Sequence, residues 1–439
     1  MGGDIMNFWG IVGILGALIL FTWLSLKGVH TYIAVVPAAM LCILLNGLPF
    51  ESSFTETYWT NFLGYVQKMW FIAIGGAAFG TLVYVTGGGI TIARYIIKVL
   101  GKNSTIGITL VGIILEICGV SLFAGSIFIM LPIIFEIYKK YNIPRRFCVS
   151  MLCFSALTLA CVAPGSTMTH NLIPATFYNL KLYHGFTIGI ACMIFMLIIG
   201  QFILNRLIAK AQAAGEGFEA HPGDVVEQDP GNEHLPPLWR IIIPMIAYPL
   251  LINLLPLYIF FNQLIAFCIG LVFLWGYYTP KGLIAGLKTT VPAGVGIIFS
   301  QSAVMGFGSV LAAAPSFSAI STLITSIPGP VYLQVALSTT VASCMCGSAS
   351  GGINIMLPAM GNTWAAVNGA SLSGIARVCG LSSLVFDSMP YNGAINAMCN
   401  ACAEDLRRAY PPVFWMTVVV PFCGTVLMIL LYTFFPFLP

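Results

Sequence analysis

Stretches of about 20 predominantly apolar residues recur along this chain, at residues 7–26, 31–49, 186–204, 241–260 and 413–434. An α-helix of that length crosses roughly 30 Å of hydrocarbon. Only 7% of the residues are charged, whereas charged residues make up about a quarter of soluble domains. The pattern therefore predicts an all-α polytopic membrane protein whose solvent is the lipid bilayer.

The first apolar stretch is predicted to be a true span rather than a signal peptide. It lacks a basic flank, and a second apolar stretch follows it at once. The net charge of +4 does not indicate a nucleic-acid partner, because the basic residues lie in short loops between the spans.

The distribution of Lys and Arg predicts the topology, since cytoplasmic loops are enriched in these residues. One arrangement places fifteen of the eighteen on the cytoplasmic side. It requires residues 104–138 to form a re-entrant hairpin that turns at residues 119–125, although two ordinary spans are the alternative. The same argument predicts a second hairpin at residues 331–360, which enters from the outside and has its tip at residues 343–352. Both termini then lie outside.

The letters Ile-Met-Leu-Pro occur at residues 129–132 and again 226 positions later, at residues 355–358. At the same offset Pro164 corresponds to Pro390. Each half contains three spans, a hairpin and two spans, which is an odd number of crossings, so the second copy runs in the opposite sense. The sequence thus predicts the inverted repeat of secondary transporters, with ten transmembrane helices plus two hairpins.

A polar segment at residues 210–239 separates the two copies. It is rich in Gly, Pro and acidic residues, which is typical of a flexible linker. The prediction is a first repeat at residues 1–209, a cytoplasmic linker, and a second repeat at residues 240–439.

Two spans are interrupted by Pro, Gly and hydrogen-bonding side chains, around residues 164–171 and 387–393. Proline removes an N–H group, and glycine allows the backbone to open. Each span is predicted to consist of two half-helices around an unwound centre, where free N–H groups suit a carboxylate and free carbonyls suit Na⁺. A simple proline kink is the alternative for either span, but two breaks at matched positions favour a binding centre.

Ionisable residues inside spans are costly and are therefore functional candidates. Asp387 and Glu116 are the predicted cation-coupling residues. Asp387 could instead cap the following half-helix, and Glu116 could make a structural hydrogen bond. His170 is a candidate for substrate binding, or a packing residue. Arg377 could hold a carboxylate bidentately, although its position favours snorkelling toward the outer surface.

Uncharged polar residues at the hairpins and breaks, together with His170, form the predicted substrate-binding set. Its members are Ser126, Ser166, Thr167, His170, Asn171, Ser348, Ser350, Asn354, Ser388 and Asn392. Several of the hydroxyls are expected to satisfy backbone groups instead. No catalytic residue is predicted. No metal site is predicted either, because the Cys pairs at 344 and 346 and at 399 and 402 lack further ligands nearby.

The motifs of both halves resemble the gluconate permease (GntP) family of the ion transporter superfamily, and most closely its hydroxybutyrate permeases. The resemblance rests on Pro164-Gly165-Ser166, Asn171 and Ile173-Pro174, and on residues 347–352 and 387–394. The order of segments matches over nearly the whole chain. The sequence departs from the family at Tyr391, where a histidine usually stands.

This resemblance implies cation-coupled symport of small carboxylates or hydroxycarboxylates, such as gluconate or hydroxybutyrate. The coupling ion would be H⁺, or Na⁺ as the alternative, and no cofactor is implied. It also implies elevator-type alternating access, a homodimer and the bacterial inner membrane.

Three other classes of protein are less consistent with the sequence. A membrane-embedded enzyme needs a nucleophile with a base, or clustered metal ligands, so the protein is predicted not to be an enzyme. A passive channel needs no paired breaks with hairpins. A cation/proton antiporter of the same superfamily remains an alternative, although it would be expected to carry more buried carboxylates.

Overall fold

A computed structural model describes residues 2–117, 126–166, 168–221, 235–255, 257–317 and 329–435, and the regular elements of these ranges are helices. The helices before the linker are α1 (Gly2–Leu26), α2 (Thr31–Leu45), α3 (Phe50–Val85), α4 (Gly88–Leu100), α5 (Ser104–Ile117), α6 (Ser126–Tyr141), α7 (Phe147–Val162), α8 (Thr169–Phe177) and α9 (Phe186–Ala213). Those after it are α10 (Leu238–Leu254), α11 (Ile259–Phe273), α12 (Pro280–Ala313), α13 (Val331–Cys346), α14 (Ala349–Ala365), α15 (Leu372–Ser382), α16 (Gly393–Ala401) and α17 (Leu406–Phe434).

Six helical stretches in the described ranges are long and apolar enough to cross a membrane. They are most of α1, all of α3, α9, α12 and α17, and the continuous stretch Gly88–Glu116. The chain is therefore a polytopic helical membrane protein. The count of ten spans stays a prediction.

The helices of the two halves follow a similar order. A long helix, α3 or α12, precedes the paired helices α5–α6 or α13–α14, and an interrupted helix, α7–α8 or α15–α16, precedes the final helix, α9 or α17. Helices from the two halves also pack in pairs, α3 on α12, α8 on α15 and α9 on α17. This order is what a repeat would produce, while the opposite sense of the second copy stays a prediction.

Some boundaries differ from those expected. The second helices of the two predicted hairpins run on to Tyr141 and Ala365, and the turn at residues 119–125 lies outside the described residues. Helix α9 continues to Ala213, so the first four residues of the predicted linker are helical. The physical reason is that Ala, Lys and Gln, which compose residues 209–213, are strong helix formers.

The start of the linker packs against the protein instead of extending freely. The Glu216 carboxylate accepts two hydrogen bonds from Arg146, at 2.6 and 2.9 Å, and Glu219 accepts two from Arg408, at 3.4 and 3.5 Å. The backbone N–H of Phe218 donates to Asn142 Oδ1 at 2.9 Å. This part of the linker is therefore fixed to the loop before α7 and to the first turn of α17.

Helices α7 and α15 lie at the centre of the fold. The residues of α7 are buried almost throughout, and α15 is buried from Gly374 to Ser382. Burial on all sides places both helices in the interior of the bundle. Since both helices end at the predicted breaks, the breaks are also placed inside the protein.

Candidate functional site

The second break occupies residues 383–392, between α15 and α16. It ends at Asn392, whose Oδ1 accepts hydrogen bonds from the backbone N–H groups of Ala394 (2.6 Å) and Ile395 (3.1 Å). This is an N-cap, which satisfies donors that the first helical turn leaves free. Asn392 thus fixes the point at which α16 begins.

The same amide ties the break to the paired helices α13 and α14. Asn392 Nδ2 donates to the backbone oxygen of Asp387 at 2.9 Å and to that of Gly347 at 3.2 Å. Only Gly347 and Ser348 join α13 to α14. Gly347 has a φ of 58°, a left-handed conformation that favours glycine. The turn of this helical hairpin therefore rests directly on the second break.

Serine hydroxyls line the tip of the hairpin. Ser348 Oγ accepts a hydrogen bond from Gly351 N at 3.3 Å, as the N-cap of α14, and lies 3.2 Å from Ser350 Oγ. Both serines are partly exposed. They place two hydroxyls beside the positive end of α14.

Asp387 lies at that end of α14 and is only 9% exposed. Its carboxylate lies near the backbone N–H of Ala349, the first residue of α14, and accepts a hydrogen bond from Ser388 Oγ at 2.7 Å. Both neighbours are neutral, so the carboxylate is stabilised by the Ser388 hydrogen bond and by the helix dipole. The structure thus gives Asp387 an unexpected position at the start of α14, in addition to its place in the break.

Neighbouring helices supply further contacts that the sequence did not reveal. Tyr410 of α17 donates to the backbone oxygen of Ser388 at 3.2 Å, and Tyr391 donates to the backbone oxygen of Cys344 in α13. The Tyr391 ring packs 5.8 Å from that of Phe21 in α1. No local motif identifies Tyr410 or Phe21, because each reaches the break only through helix packing.

The first break occupies residues 163–168, where Thr167 lies outside the described residues. Asn171 Nδ2 donates to the backbone oxygens of Ser166 (2.8 Å) and Leu182 (2.9 Å). In each break, therefore, an asparagine bonds to the carbonyl five positions before it. This pattern matches Ser166 with Asp387 and Asn171 with Asn392, at an offset of 221 rather than the 226 that pairs the prolines.

Arg377 is buried in the interior and does not snorkel. It is 4% exposed, and it donates from Nε to His184 O at 2.8 Å and from Nη1 to Val162 O at 3.1 Å. The snorkelling interpretation was wrong because α15 lies among other helices, so the side chain faces the end of α7 instead of the outer surface.

A second arginine is buried between the two halves. Arg145 donates from Nε and Nη2 to the backbone oxygen of Cys402, at 3.0 and 2.8 Å, and lies 3.6 Å from the Glu404 carboxylate. Burial raises the pKa of Glu404, and the positive charges of Arg408 and Arg145 partly offset this. Arg145 is one of the fifteen basic residues that the charge pattern assigns to the cytoplasmic side, and nothing in the sequence indicates that it is buried.

The structure brings the predicted site residues together in part. One group at the second break and hairpin tip comprises Ser348, Ser350, Asp387, Ser388 and Asn392, and Ser166, His170 and Asn171 lie at the first break. Glu116 is buried in α5, and Glu116 and Asp387 both act electrostatically on Cys161. Asn354 is exposed on α14, one helical turn after Ser350. Ser126 begins α6, but its side chain lies outside the described part.

We expect Asn392→Ala to lower the free energy of unfolding by about 3 kcal/mol. The variant loses an N-cap worth about 1 kcal/mol and two buried hydrogen bonds worth about 1 kcal/mol each. Asn392→Ser, which keeps a capping oxygen but cannot reach Gly347, should lose about 2 kcal/mol. Unfolding of the purified proteins by SDS titration measures both values, and equal stabilities of all three proteins would contradict the role of this amide.

Comparison with known proteins places these features in a family. The GntP family permease model matches residues 8–269, more than half of the chain. A protein of Bacillus subtilis (strain 168), the uncharacterized transporter YxjC, is 25% identical over 461 aligned residues, which cover 93% of this chain and 96% of that protein. The family expected from the motifs is thereby confirmed. This polytopic helical protein belongs to the GntP permease family, and it is a transporter.

Proposed function

We propose that this transporter is a proton-coupled symporter of small carboxylates or hydroxycarboxylates, such as gluconate or hydroxybutyrate. One observation carries the proposal. The Asp387 carboxylate lies near the backbone N–H of Ala349 at the start of α14, which is the type of position that an anionic substrate would use.

Competition for this position would couple substrate to protons. Two carboxylates that share one site repel each other, so one of them must be neutral. Protonation of Asp387 removes its charge and frees the Ala349 N–H for the carboxylate of the substrate. One proton would then enter with each monocarboxylate, and the combined charge carried would be zero.

Polar side chains around this position suit a hydroxylated substrate. Ser348, Ser350 and Ser388 each provide a hydroxyl within the group that surrounds Asp387. A hydroxyl can donate and accept hydrogen bonds, so it can pair with substrate hydroxyl groups in either sense. These residues are the proposed determinants of preference for hydroxycarboxylates.

The proposed transport cycle is of the elevator type in a homodimer of the bacterial inner membrane. Helices α3 and α12 pack along each other and would form the static scaffold. The helical hairpin of α13 and α14 and the two interrupted helices would move together with the substrate. The hydrogen bonds from Asn392 to Gly347 O and from Tyr391 to Cys344 O join the second break to this hairpin, which supports such joint motion.

Uptake by proteoliposomes tests the function. We expect radiolabelled gluconate or hydroxybutyrate to accumulate when the outside is more acidic, by up to about tenfold per pH unit, since one pH unit is worth about 1.4 kcal/mol per proton. A sodium gradient at equal pH should give no accumulation, and protein-free liposomes are the control. If only a sodium gradient drives accumulation, the coupling ion is Na⁺ instead of the proton. If no carboxylate of a panel accumulates under either gradient, the protein is not a carboxylate symporter.

A further inference from the structure

A small cavity lies between the first break and α15. Cys161, His170, Asn171, Arg377 and Gly380 are among the residues that line it, and a volume of about 10 Å³ is open to the centre of a water molecule. That volume is about the minimum required for one buried water. The cavity is separate from the tip of the α13–α14 hairpin, where the substrate is proposed to bind.

Three buried polar atoms of these lining residues have no hydrogen-bond partner within the described part of the chain. They are Arg377 Nη2, Asn171 Oδ1 and His170 Nδ1. All three residues are at least nine-tenths buried. Leaving such groups unsatisfied costs about 1–3 kcal/mol each, and more for a charged group, so a ligand that satisfies them would be strongly favoured.

The roles of these atoms define the ligand. Arg377 Nη2 can only donate. Asn171 Oδ1 must accept, because the Nδ2 of the same amide already donates to two backbone oxygens. His170 Nδ1 accepts a hydrogen bond in one neutral tautomer and donates one in the other. The ligand therefore has to accept from Arg377 and donate to Asn171, and it pairs with His170 in the sense that the tautomer sets.

Water fits this combination, whereas either kind of small ion does not. An anion would lie against the Asn171 oxygen, and a cation would lie against the Arg377 guanidinium. We propose that one internal water occupies the cavity and that, through this water, Arg377 fastens the start of α8 to the end of α7.

Arg377 is then a positioning residue for the whole first break. Directly, it binds the carbonyl of Val162 at the end of α7 and that of His184 just before α9. Through the water it reaches His170 and Asn171 in the first turn of α8. One side chain of the second half thus holds together three backbone segments of the first half.

Hydrogen exchange measured by mass spectrometry tests this role on the full-length protein. In Arg377→Met we expect amides of residues 163–185 to exchange about tenfold faster or more, because their protection depends on local opening. Amides of residues 383–396 should keep the wild-type rate. Thr417→Val is the matched control, since the Thr417 hydroxyl bonds to Val413 O of the same helix and to no other group in the described residues, and it should change neither segment.

A density map at about 2 Å resolution tests the water itself. We expect a peak within hydrogen-bond distance of Arg377 Nη2 and Asn171 Oδ1. His170→Phe leaves the two carbonyl contacts of Arg377 in place, so it serves as a second variant if Arg377→Met does not fold. It should weaken the peak and accelerate exchange at residues 163–185 by a smaller factor.

Three results would overturn the proposal. The first is an empty cavity in that map. The second is a bromide-dependent anomalous signal there, which would identify an anion. The third is an exchange rate at residues 163–185 that the variants leave unchanged, or that they raise no more than the rate at residues 383–396. Equal acceleration of both segments would indicate global destabilisation alone.

Discussion

Proteoliposomes that contain Asp387→Asn are expected to accumulate no substrate under a proton gradient. Asparagine keeps the size and one acceptor oxygen of the side chain but cannot bind and release a proton. With a gradient of one pH unit, the expected concentration ratio falls from about ten to about one. Exchange of labelled for unlabelled substrate should persist in part, because the variant resembles the protonated, substrate-binding form.

The control for this variant is Asp405→Asn. Asp405 is also a carboxylate at the start of a helix, where it caps α17 by accepting from the N–H of Arg407 at 2.8 Å, but it lies outside the proposed site. Asparagine is an equally good capping residue, so this change should leave accumulation intact. If Asp387→Asn accumulates substrate as the wild type does, Asp387 is not the residue that couples transport to protons. Glu116, the other predicted coupling residue, would then be tested with Glu116→Gln.

Gly352→Ala is expected to disrupt the hairpin of α13 and α14. A Cβ atom at this position would overlap with the backbone nitrogen and the side chain of Ser343 on the facing helix. Backbone cannot move aside as a flexible side chain can, so the cost should be about 3 kcal/mol, at the upper end for overpacking. Relief of this overlap would push α13 and α14 apart and shift the Ala349 N–H away from Asp387. The uptake rate per folded molecule should then fall by about tenfold or more.

The adjacent glycine provides the matched control. The three atoms nearest to a Cβ at Gly351 belong to side chains, and the nearest is Cys346 Cβ at 3.2 Å, where a shift of a few tenths of an ångström relieves the contact. Alanine also has a higher helix propensity than glycine, so Gly351→Ala should fold and transport almost normally. SDS titration and proteoliposome uptake measure the two effects. Equal behaviour of the two alanine variants would show that the close helix contact is not required.

Periodic and compositional signals were sufficient where a feature depends on the local chain. The long apolar stretches predicted helices such as α9 and α17, which the structure contains. Pro164 with Gly165, and Pro390 with its polar neighbours, predicted interruptions, and α7 and α15 do end before them. Proline and glycine act on their own backbone and on the turn beside them, so their effect is visible in a single sequence.

Local signals failed where a side chain acts at a distance. Arg377 was expected near the surface, yet it binds carbonyls 193 and 215 positions away along the chain. The offset of 226 aligned the prolines, whereas hydrogen bonds of Asn171 and Asn392 align the breaks at 221. Sequence letters cannot reveal where unwinding begins, because that depends on which carbonyls the surrounding helices can satisfy.

The apolar stretches and the positions of Pro and Gly were enough to predict that this protein is a set of membrane helices, that two of them are interrupted, and that an acidic residue lies in the second interruption. Hydrophobicity and backbone chemistry act over one helix turn or one span, so their effects can be predicted from neighbouring residues in the sequence. The position of Asp387 at the start of α14 and the hydrogen bonds of buried Arg377 to Val162 and His184 are visible in the three-dimensional structure alone. Those contacts arise from packing between helices that are remote in sequence, where burial makes each hydrogen bond consequential.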